Sequence, residues 1–407
     1  MWYKIMCDIN NHKINQAVII AGGRGERLKP FTDEMPKPMY IVEGKPFIEN
    51  LINQIKNFGF ENILLLLGYK AEKIVDYLGD GKNFGVHIDY DITDASFDTA
   101  ERMTHAIDKY EDIFLFMYCD NICPINYKKL VDDFYKHNAD IQISVYKNKD
   151  KWTKDNLIVD ENGLVVIYDK TKTNPNLQGV DIGYEIIKKS AINRFKDLTG
   201  GFNKIVFPKL VEEKKIFATT TEHRYYSIGS FDRMKYTEEF LKNKKVCFLD
   251  RDGTLNVRPD KACYIEKEED FIWLDGAKEA VKLLNDNNYL VILITNQPGI
   301  KRGNLTIETL AKIHNKMQKD LTEIGAKIDK IYYCPHNWDE NCECRKPKPG
   351  MIFDAQKDFS INLNNAILFG DDERDIEAAN NANVKSVLIT YEYNLYKAVN
   401  DLINNKL

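Results

Sequence analysis

Two stretches of this chain each run from a short apolar strand directly into a turn that is charged or rich in glycine. The first is Gln16–Ala21 (QAVIIA), followed by GGRGERL, and the second is residues 246–250 (VCFLD), followed by RDGT. Parallel α/β domains carry their ligands at strand ends, so each stretch predicts the first strand of its own α/β domain. The chain has 407 residues, which also exceeds what one ordinary core contains.

Apolar strand-like runs alternate with amphipathic stretches through both halves of the chain. Residues 63–67 and 113–118 are such runs in the first half, and residues 289–294 and 366–369 are such runs in the second. The alternation predicts an α/β protein with two Rossmann-like domains. We divide the chain into an N-terminal extension (1–14), a first domain (15–232), a charged linker (233–243) and a second domain (244–407).

Charge and hydropathy exclude several classes of protein. The formal net charge is −5, whereas a general nucleic-acid binder normally has a basic excess. No apolar run approaches the roughly 20 residues that span a bilayer, and residues 1–13 lack the apolar segment of a signal peptide. We therefore expect a cytoplasmic protein with reduced cysteines and without nucleic-acid or membrane partners.

Paired carboxylates follow two strands of the second half. Asp250 and Asp252 lie two residues apart, so one can attack phosphorus while the other protonates the leaving oxygen and then activates water. Asp371 and Asp372 follow a later strand. Crowded carboxylates need a cation, and Mg²⁺ prefers oxygen ligands. Taken alone, Asp-x-Asp-Gly is also consistent with a solvated turn or a calcium loop.

Three further residues of the second half suit a phosphoryl group. Thr295 and Asn296 end a predicted strand and can donate hydrogen bonds to phosphoryl oxygens. Lys346 can neutralise charge on the transferring group. The order of these residues along the chain, together with the two carboxylate pairs, favours a phosphatase over the two simpler interpretations.

The strings DRDGT, TNQPG, CRKPKPG and GDDERD resemble the motifs of haloacid-dehalogenase-type phosphatases over about residues 244–395. They are most similar to the branch that contains heptose bisphosphate and histidinol phosphatases. The resemblance implies a fold without a large cap domain. It implies Asp250 as nucleophile, Asp252 as acid and base, and substrate recognition by Arg345. It also implies Mg²⁺ on Asp250, Asp371 and the Asp252 carbonyl, with phosphate contacts from Thr295, Asn296 and Lys346.

A cluster of cysteines lies directly before that lysine, in residues 334–346. Cys334, His336, Cys342 and Cys344 supply three thiolates and one imidazole, which is a common closed tetrahedral zinc shell. We expect a structural zinc that holds the loop carrying Arg345 and Lys346. The alternatives are scattered free thiols or a disulfide.

The glycine-rich turn of the first half suits a phosphate ligand. Gly22, Gly23 and Gly25 would let backbone N–H groups approach phosphates, and Arg24 and Arg27 add positive charge. The string is neither a Walker A sequence nor a dinucleotide-binding fingerprint. A tight turn without a ligand is the alternative.

Two strings that follow this turn, PKPM at residues 36–39 and GKPFIE at residues 44–49, extend the pattern. The whole resembles sugar-phosphate nucleotidyltransferases over about residues 15–232, with a mixed, mainly parallel sheet. Its most similar members are the guanylyl- and related transferases that act on heptose 1-phosphate.

The resemblance implies that a sugar-phosphate oxygen attacks the α-phosphorus of a nucleoside triphosphate and that pyrophosphate leaves. Such a displacement depends mainly on positioning and charge neutralisation. Arg27 and Lys37 would bind the triphosphate, Asp120 would hold Mg²⁺, and Lys170 would contact the sugar phosphate.

This chain departs from that family's pattern at four acidic or metal-binding positions. Asp98 and Glu101 stand where the family has glycines, and Asp181 stands where it has asparagine. Ser227 replaces a metal-binding aspartate, and a serine cannot supply that carboxylate's charge. Asp181 is an alternative ligand for metal or substrate, and a weak or inactive domain is another alternative.

The fusion of the two domains favours two consecutive steps. Removing the distal phosphate of heptose 1,7-bisphosphate leaves heptose 1-phosphate, which is an acceptor for nucleotidyl transfer. The leading hypothesis is a two-step enzyme of nucleotide-heptose synthesis that uses an NTP, with GTP favoured, and a sugar phosphate. The alternatives are another sugar or polyol phosphate activated with CTP, or a first domain that only binds nucleotide beside a working phosphatase.

Overall fold

The computed structural model describes residues 13–260 and 263–407. The chain separates into two units, and the division falls between Leu241 and Lys242. Most of the predicted N-terminal extension, residues 1–14, lies outside the described residues. None of the helices among the described residues is long and apolar enough to cross a bilayer.

The first unit is built on a seven-stranded sheet in the order β12-β8-β11-β6-β1-β4-β5. All neighbouring strands are parallel except β11, which runs antiparallel to both β6 and β8. This confirms the predicted mixed, mainly parallel sheet. The strands of this unit are β1 (Gln16–Ala21), β2 (Ile41–Val42), β3 (Lys45–Pro46), β4 (Asn62–Leu67), β5 (His87–Ile92), β6 (Ile113–Tyr118), β7 (Asn121–Ile122), β8 (Ile141–Tyr146), β9 (Leu157–Val159), β10 (Val165–Tyr168), β11 (Val180–Lys188), β12 (Ile216–Thr221) and β13 (Tyr226–Ser227).

Helices cover both faces of this sheet. Alternate residues of a strand point to opposite faces, and in β1 Ala17 and Ile19 join one apolar core while Val18 and Ile20 join the other. Both faces are therefore buried, as the uninterrupted apolar strands predict. The helices are α1 (Phe47–Asn57), α2 (Ala71–Leu78), α3 (Thr99–His105), α4 (Tyr127–His137), α5 (Lys189–Arg194), α6 (Phe202–Glu212) and α7 (Phe231–Leu241).

Most of the segment predicted as a linker, residues 233–243, lies in helix α7 and belongs to the first unit. Met234, Thr237 and Phe240 recur at helical spacing and are buried. The Thr237 hydroxyl donates a hydrogen bond of 2.9 Å to the carbonyl of Ser227. The charged residues between these positions hid a one-sided apolar face, which is why the composition alone indicated a linker.

The second unit has a five-stranded, entirely parallel sheet in the order β16-β15-β14-β17-β18, with an apolar core on each face. Among the described residues, the connections 250–276 and 297–306 contain no α-helix, so no helical cap domain is inserted there, as predicted. Its elements are β14 (Lys245–Leu249), α8 (Ala277–Asp286), β15 (Tyr289–Asn296), α9 (Ile307–Thr322), β16 (Lys330–Cys334), α10 (Gly350–Phe359), β17 (Ala366–Gly370), α11 (Glu373–Asn381), β18 (Lys385–Leu388) and α12 (Leu395–Ile403).

A buried arginine joins the carboxyl ends of β1 and β4 in the first unit. Arg102 is 2% exposed, and its guanidinium donates to the carbonyl of Leu67 and to the hydroxyl of Thr93. It also donates to the carbonyls of Asp94 (3.2 Å) and Phe97 (3.1 Å). Its charge is thus compensated at hydrogen-bonding distance by neutral acceptors rather than by a carboxylate.

The position of this guanidinium corrects the interpretation of Gly22. A Cβ atom on Gly22 would overlap the Arg102 guanidinium, whereas one on Gly23 would meet nothing within 4 Å. Glycine at position 22 therefore makes room for a side chain of the protein itself. The space beside Gly23 is open, which is consistent with a ligand on that side of the turn.

We expect Gly22→Ala to destabilise the first unit by about 1–3 kcal/mol, because overpacking forces a buried side chain out of place. Native-state hydrogen exchange of peptides from β1 and β4, followed by mass spectrometry, measures this change within the unit. Gly23→Ala is the matched control and should change the exchange rates little. Equal stability of the two variants would contradict the packing of Arg102 against Gly22.

Candidate functional sites

Three carboxylates converge at the carboxyl edge of the second sheet. Asp250 follows β14, and Asp371 and Asp375 follow β17, the strand paired with β14. Ligand oxygens of these three residues all lie within 4.8 Å of one another. The sequence analysis identified Asp250 and Asp371 but missed Asp375.

Asp375, and not Asp372, is the further member of this carboxylate cluster. Asp372 caps helix α11, where its side chain accepts a hydrogen bond of 3.0 Å from the backbone N–H of Arg374. Asp375 lies on the first helical turn, four residues after Asp371, and its side chain fills the space beside Gly370. The choice of Asp372 as a metal ligand is therefore wrong for this structure, and the spacing Asp-x-x-x-Asp was the signal that could have found Asp375.

Lys346 places a buried ammonium group between two of these carboxylates. Its Nζ lies 2.6 Å from Asp250 Oδ1 and 2.5 Å from Asp375 Oδ1, and it donates to the carbonyl of Ile294 at 3.0 Å. Burial raises the pKa of Asp250, Lys346 opposes that shift, and the carboxylates of Asp375 and Asp252 add to it. The lysine thus stabilises a crowded anionic cluster.

Asp252 has a different environment from that of Asp250. It accepts hydrogen bonds from Arg251 (2.9 Å), Gln297 (3.0 Å) and Asn256 (3.1 Å). Burial acts to raise the pKa of Asp252, but Arg251 and the two amides outweigh it and hold the pKa below its usual range. Arg251 and Gln297 lie within the strings DRDGT and TNQPG, but the sequence analysis assigned them no role, because their contacts with Asp252 depend on the fold.

Thr295 and Asn296 lie at the same edge of the sheet but have different partners. The Thr295 hydroxyl accepts a hydrogen bond of 2.9 Å from Gln297. The Asn296 amide instead pairs with the backbone of Lys346, donating to its carbonyl and accepting from its N–H at 3.1 Å each. Asn296 therefore positions Lys346. Both polar atoms of the Asn296 amide are engaged in these bonds, and the contact of Asn296 with phosphate stays a prediction.

The carboxylate cluster fits a hard divalent cation. Oδ1 of Asp371 is buried and has no hydrogen-bond partner, which is costly unless a cation occupies the space beside it. The Asp371 carboxylate also lies where a Cβ atom on Gly253 would be, so glycine is required there. Three carboxylates with one unpaired oxygen match the ligands that Mg²⁺ prefers.

The four residues of the cysteine-rich loop gather as a metal site would require. Cys334 Sγ lies 3.6 Å from Cys342 Sγ and 3.6 Å from His336 Nδ1, and Cys344 Sγ lies 3.3 Å from His336 Nδ1. These separations approach the roughly 3.6–3.8 Å edges of a tetrahedral zinc shell. They are far longer than a disulfide bond of about 2.05 Å, and all four residues suit a closed site.

The cysteine-rich loop is joined to the carboxylate cluster through the two residues that follow it in the chain. Arg345 follows Cys344 directly, and its Nη1 donates a hydrogen bond of 3.2 Å to the carbonyl of His336. Lys346 comes next and reaches the carboxylate cluster. Any loss of order in the loop would therefore be transmitted to the buried ammonium group.

The first unit brings together most of the residues predicted to bind a triphosphate. Lys37 Nζ lies 2.5 Å from Asp120 Oδ2. A Cβ atom on Gly229 would lie 3.6 Å from Arg27 Nη2, 3.6 Å from Ser227 Oγ and 4.0 Å from Asp120 Oδ2, so these groups surround one point. The pairing of β13 with β7 brings Ser227 to this place, where the family resemblance leads us to expect an aspartate.

The glycine turn contributes unequally to this site. A Cβ atom on Gly25, which has a φ of 63°, would lie 3.2 Å from Lys37 Cβ, so this end of the turn adjoins the lysine. Arg24 is exposed and lies over the ring of Tyr69 with 5.6 Å between its Cζ and the ring centroid. Gly22 is covered by Arg102, as described above.

An open cleft of about 480 Å³ lies in the same unit, and Lys170 is among its lining residues. Asp181 contacts Asn203, one of the lining residues, but is not itself part of the lining. Its carboxylate accepts hydrogen bonds from Tyr168 Oη at 2.9 Å, from Asn203 Nδ2 at 3.2 Å and from the Gly183 N–H at 2.9 Å. Among the described residues, neither metal-ligand group contains Asp120 or Asp181. Its hydrogen bonds give Asp181 a structural role, and its use in place of the missing carboxylate stays a prediction.

The two unusual acids of this unit have local structural roles. Asp98 caps helix α3 and accepts a hydrogen bond of 2.7 Å from the Thr99 N–H. Glu101 accepts a hydrogen bond of 2.9 Å from the N–H of Gly200. Both acids thus organise the rim of the cleft, and Asp98 and Thr99 are part of its lining.

Comparison with known proteins gives a relative for each unit. Residues 16–163 match the Nucleotidyl transferase family, and residues 245–392 match the Polynucleotide kinase 3 phosphatase family. The structure also resembles HddC from Yersinia pseudotuberculosis, with 26% sequence identity and a TM-score of 0.50. That similarity covers 56% of this chain and all of HddC.

Curated relatives match the second unit. A D-glycero-alpha-D-manno-heptose-1,7-bisphosphate 7-phosphatase of Campylobacter jejuni is 41% identical over 148 residues, which are 36% of this chain and 83% of the relative. A D-glycero-beta-D-manno-heptose-1,7-bisphosphate 7-phosphatase of Helicobacter pylori is 41% identical over 150 residues, which are 37% of this chain and 85% of the relative. Both resemblances drawn from the sequence motifs are thus confirmed. The chain therefore belongs, through its second unit, to the D-glycero-D-manno-heptose-1,7-bisphosphate 7-phosphatase family, and a nucleotidyl transferase domain precedes that unit.

Proposed function

We propose that the second unit removes one phosphate from a sugar bisphosphate, heptose 1,7-bisphosphate, and that the first unit transfers a nucleotidyl group to the resulting sugar 1-phosphate. The observation that supports this most is the convergence of Asp250, Asp371 and Asp375 on Lys346, in a chain whose relatives are heptose bisphosphate phosphatases. The preceding nucleotidyl transferase domain can use the product of that hydrolysis.

In the proposed phosphatase reaction, a carboxylate oxygen of Asp250 attacks phosphorus, and the bond from phosphorus to the sugar oxygen breaks. Asp252 protonates the leaving oxygen, and its carboxylate then takes a proton from the water that cleaves the aspartyl-phosphate. Asp250, Asp371 and Asp375 would hold Mg²⁺, which when bound neutralises charge on the phosphoryl oxygens. Lys346 supplies a second, permanent positive charge at the same place.

The environment of Asp252 suits its two roles at different moments. Its lowered pKa leaves the carboxylate ionised at neutral pH, which is the form needed to activate water. An anionic phosphate beside it raises that pKa by charge repulsion and favours the protonated form needed for the leaving group. Gln297 holds Oδ2 of Asp252 through both steps.

We expect Asp250→Asn to lower phosphate release from heptose 1,7-bisphosphate by at least about a thousandfold, because the amide cannot form the phosphoenzyme. Colorimetric phosphate detection measures this change. Nucleotidyl transfer from the same preparation should be unaffected and serves as the internal control. Loss of both activities in a folded protein would contradict the assignment of the two reactions to separate units.

We also propose that zinc binds Cys334, His336, Cys342 and Cys344 and has a structural role. The four ligands would fill a tetrahedral shell and leave no position for a reactive water. The metal would then act through the two residues that follow Cys344, by fixing the backbone that delivers Lys346 to Asp250. Arg345, at the same turn, would contact the rest of the substrate.

Cys342→Ser should release zinc and lower the phosphatase kcat/KM by about 10–100-fold, since a displacement of Lys346 by about 1 Å is costly in an active site. Elemental analysis gives the zinc content, and hydrogen exchange of residues 335–346 gives the order of the loop. Cys263→Ser, at an exposed cysteine outside the cluster, is the matched control. Full zinc content together with full activity in Cys342→Ser would rule out the structural zinc.

In the first unit, we propose that Lys37 and Arg27 neutralise the triphosphate while Gly23 and Gly25 present backbone N–H groups to it. Lys170, in the open cleft, would bind the sugar phosphate whose oxygen attacks the α-phosphorus and expels pyrophosphate. Asp120 would hold Mg²⁺, which reduces repulsion between the reacting anions. GTP is the proposed nucleotide, on the strength of the sequence resemblance to guanylyltransferases.

A second candidate for this unit is nucleotide binding without catalysis. It is favoured by Ser227, which lies beside Asp120 where a second carboxylate would strengthen metal binding. A third candidate keeps the catalysis but uses CTP and another sugar or polyol phosphate.

A screen of pyrophosphate release with four nucleoside triphosphates and a panel of sugar phosphates separates these candidates. We expect release with GTP and heptose 1-phosphate, and at least a tenfold loss in Lys37→Ala, because the lysine's charge is then removed from the triphosphate site. Release with only another pair would support the third candidate. No release under any pairing, with nucleotide binding retained, would support the second.

A further inference from the structure

Arg258 reaches the phosphatase site from the connection that follows β14. The sequence motifs give it no role. The preceding residue is held by a hydrogen bond of 2.9 Å from the N–H of Val257 to the carbonyl of Ile272, next to a bridge between Asn256 and Trp273. The backbone is therefore anchored one residue before Arg258.

The guanidinium of Arg258 joins two carboxylates. Its Nη1 lies 2.9 Å from Asp371 Oδ2, and its Nη2 lies 2.8 Å from Asp372 Oδ2. The planar fork of an arginine side chain fixes the direction of both bonds, which a single ammonium group cannot do. Oδ2 of Asp371 is thus occupied, while its buried Oδ1 has no partner.

Asp372 anchors the other end of this bridge. Its carboxylate is fixed by capping helix α11 and by Arg374, whose Nε and Nη2 lie 2.8 Å and 2.9 Å from its two oxygens. The end of helix α11 therefore fixes the Asp372 carboxylate. Asp372 pairs with the Arg258 guanidinium, which in turn pairs with the Asp371 carboxylate. Asp372, which is not part of the ligand cluster, thereby still acts on it.

We propose that Arg258 is a positioning residue whose guanidinium fixes the Asp371 carboxylate by Oδ2 and so presents Oδ1 to the divalent cation of the phosphatase site. The proposal rests on the metal-dependent phosphatase proposed above. Without the Arg258 guanidinium, the Asp371 carboxylate can rotate. The loss of that rotational freedom on metal binding would then reduce the affinity for the ion. Outer contacts of this kind typically change metal affinity by about 10–100-fold.

The charge of Arg258 and the geometry of its two hydrogen bonds predict opposite changes in metal affinity when the residue is replaced. A positive charge near the site repels a divalent cation, so charge alone predicts tighter metal binding when it is removed. Loss of the fork predicts weaker binding. Arg258→Lys separates the two, because it keeps the charge and cannot bridge both carboxylates in a fixed plane.

The experiment is a titration of the full-length, zinc-loaded chain with Mn²⁺, followed by electron paramagnetic resonance of the free ion. Asp120→Asn serves as the parent background, so that the proposed ion of the first unit does not contribute. Arg258→Lys should raise the Kd for Mn²⁺ about tenfold. The Mg²⁺ concentration that half-saturates phosphate release, measured with Asp120 intact, should rise by a similar factor, while kcat at saturating Mg²⁺ changes less.

Arg374→Ala is the matched control, because it removes a nearby positive charge that pairs with Asp372, while the backbone N–H of residue 374 still donates to Asp372 and keeps that carboxylate at the end of helix α11. Its Kd should stay within about twofold of the parent or fall, as removal of a nearby charge predicts. Thermal melting and zinc content show whether each variant is folded. An Arg258→Lys variant that binds Mn²⁺ as tightly as the parent overturns the proposal. A parent that binds no Mn²⁺ overturns the proposed metal site and this inference with it.

Discussion

A buried ammonium group between two carboxylates organises the second unit's site. Lys346 is 4% exposed and bridges Asp250, which follows β14, and Asp375, which lies on the first turn of the helix after the neighbouring strand β17. Breaking a buried pair by removing one partner typically costs about 3–5 kcal/mol. The Asn296 amide, which clamps the backbone of Lys346, and the cysteine-rich loop before it therefore serve one purpose. They keep a cation in place that the sheet edge needs both for its stability and for its chemistry.

Parallel topology explains why the sequence predicted this site well. Parallel strands end at one edge, so a carboxylate after β14 and another after β17 must meet once the strands pair. Asp250 and Asp371 were found in this way. The cysteine-rich loop was found because four metal-ligand residue types lie within one short segment, where the chain itself brings them together. The mixed sheet of the first unit followed from a family resemblance.

Contacts between distant segments explain what the sequence did not predict. Asp375 and Asp372 are both near Asp371 in the chain, and only the direction of helix α11 decides which of them points back to the strand end. Arg102 packs against Gly22 although the two residues are 80 positions apart in the chain. A local sequence pattern could therefore not predict this contact. Helix α7 was missed because its few buried residues are diluted by charged ones.

Each unit pairs a lysine with an aspartate at a strand end, and the surroundings of the pairs differ. Lys346 and Asp250 are joined by two more carboxylates, whereas Lys37 and Asp120 have Ser227 beside them. A hard cation needs several oxygen ligands. With the functions proposed here, Asp250, Asp371 and Asp375 would hold the ion of the second site without help from the substrate. In the first site we assign one carboxylate, Asp120, to the ion, so phosphate oxygens of the nucleotide would supply further ligands, and ion and nucleotide would bind together.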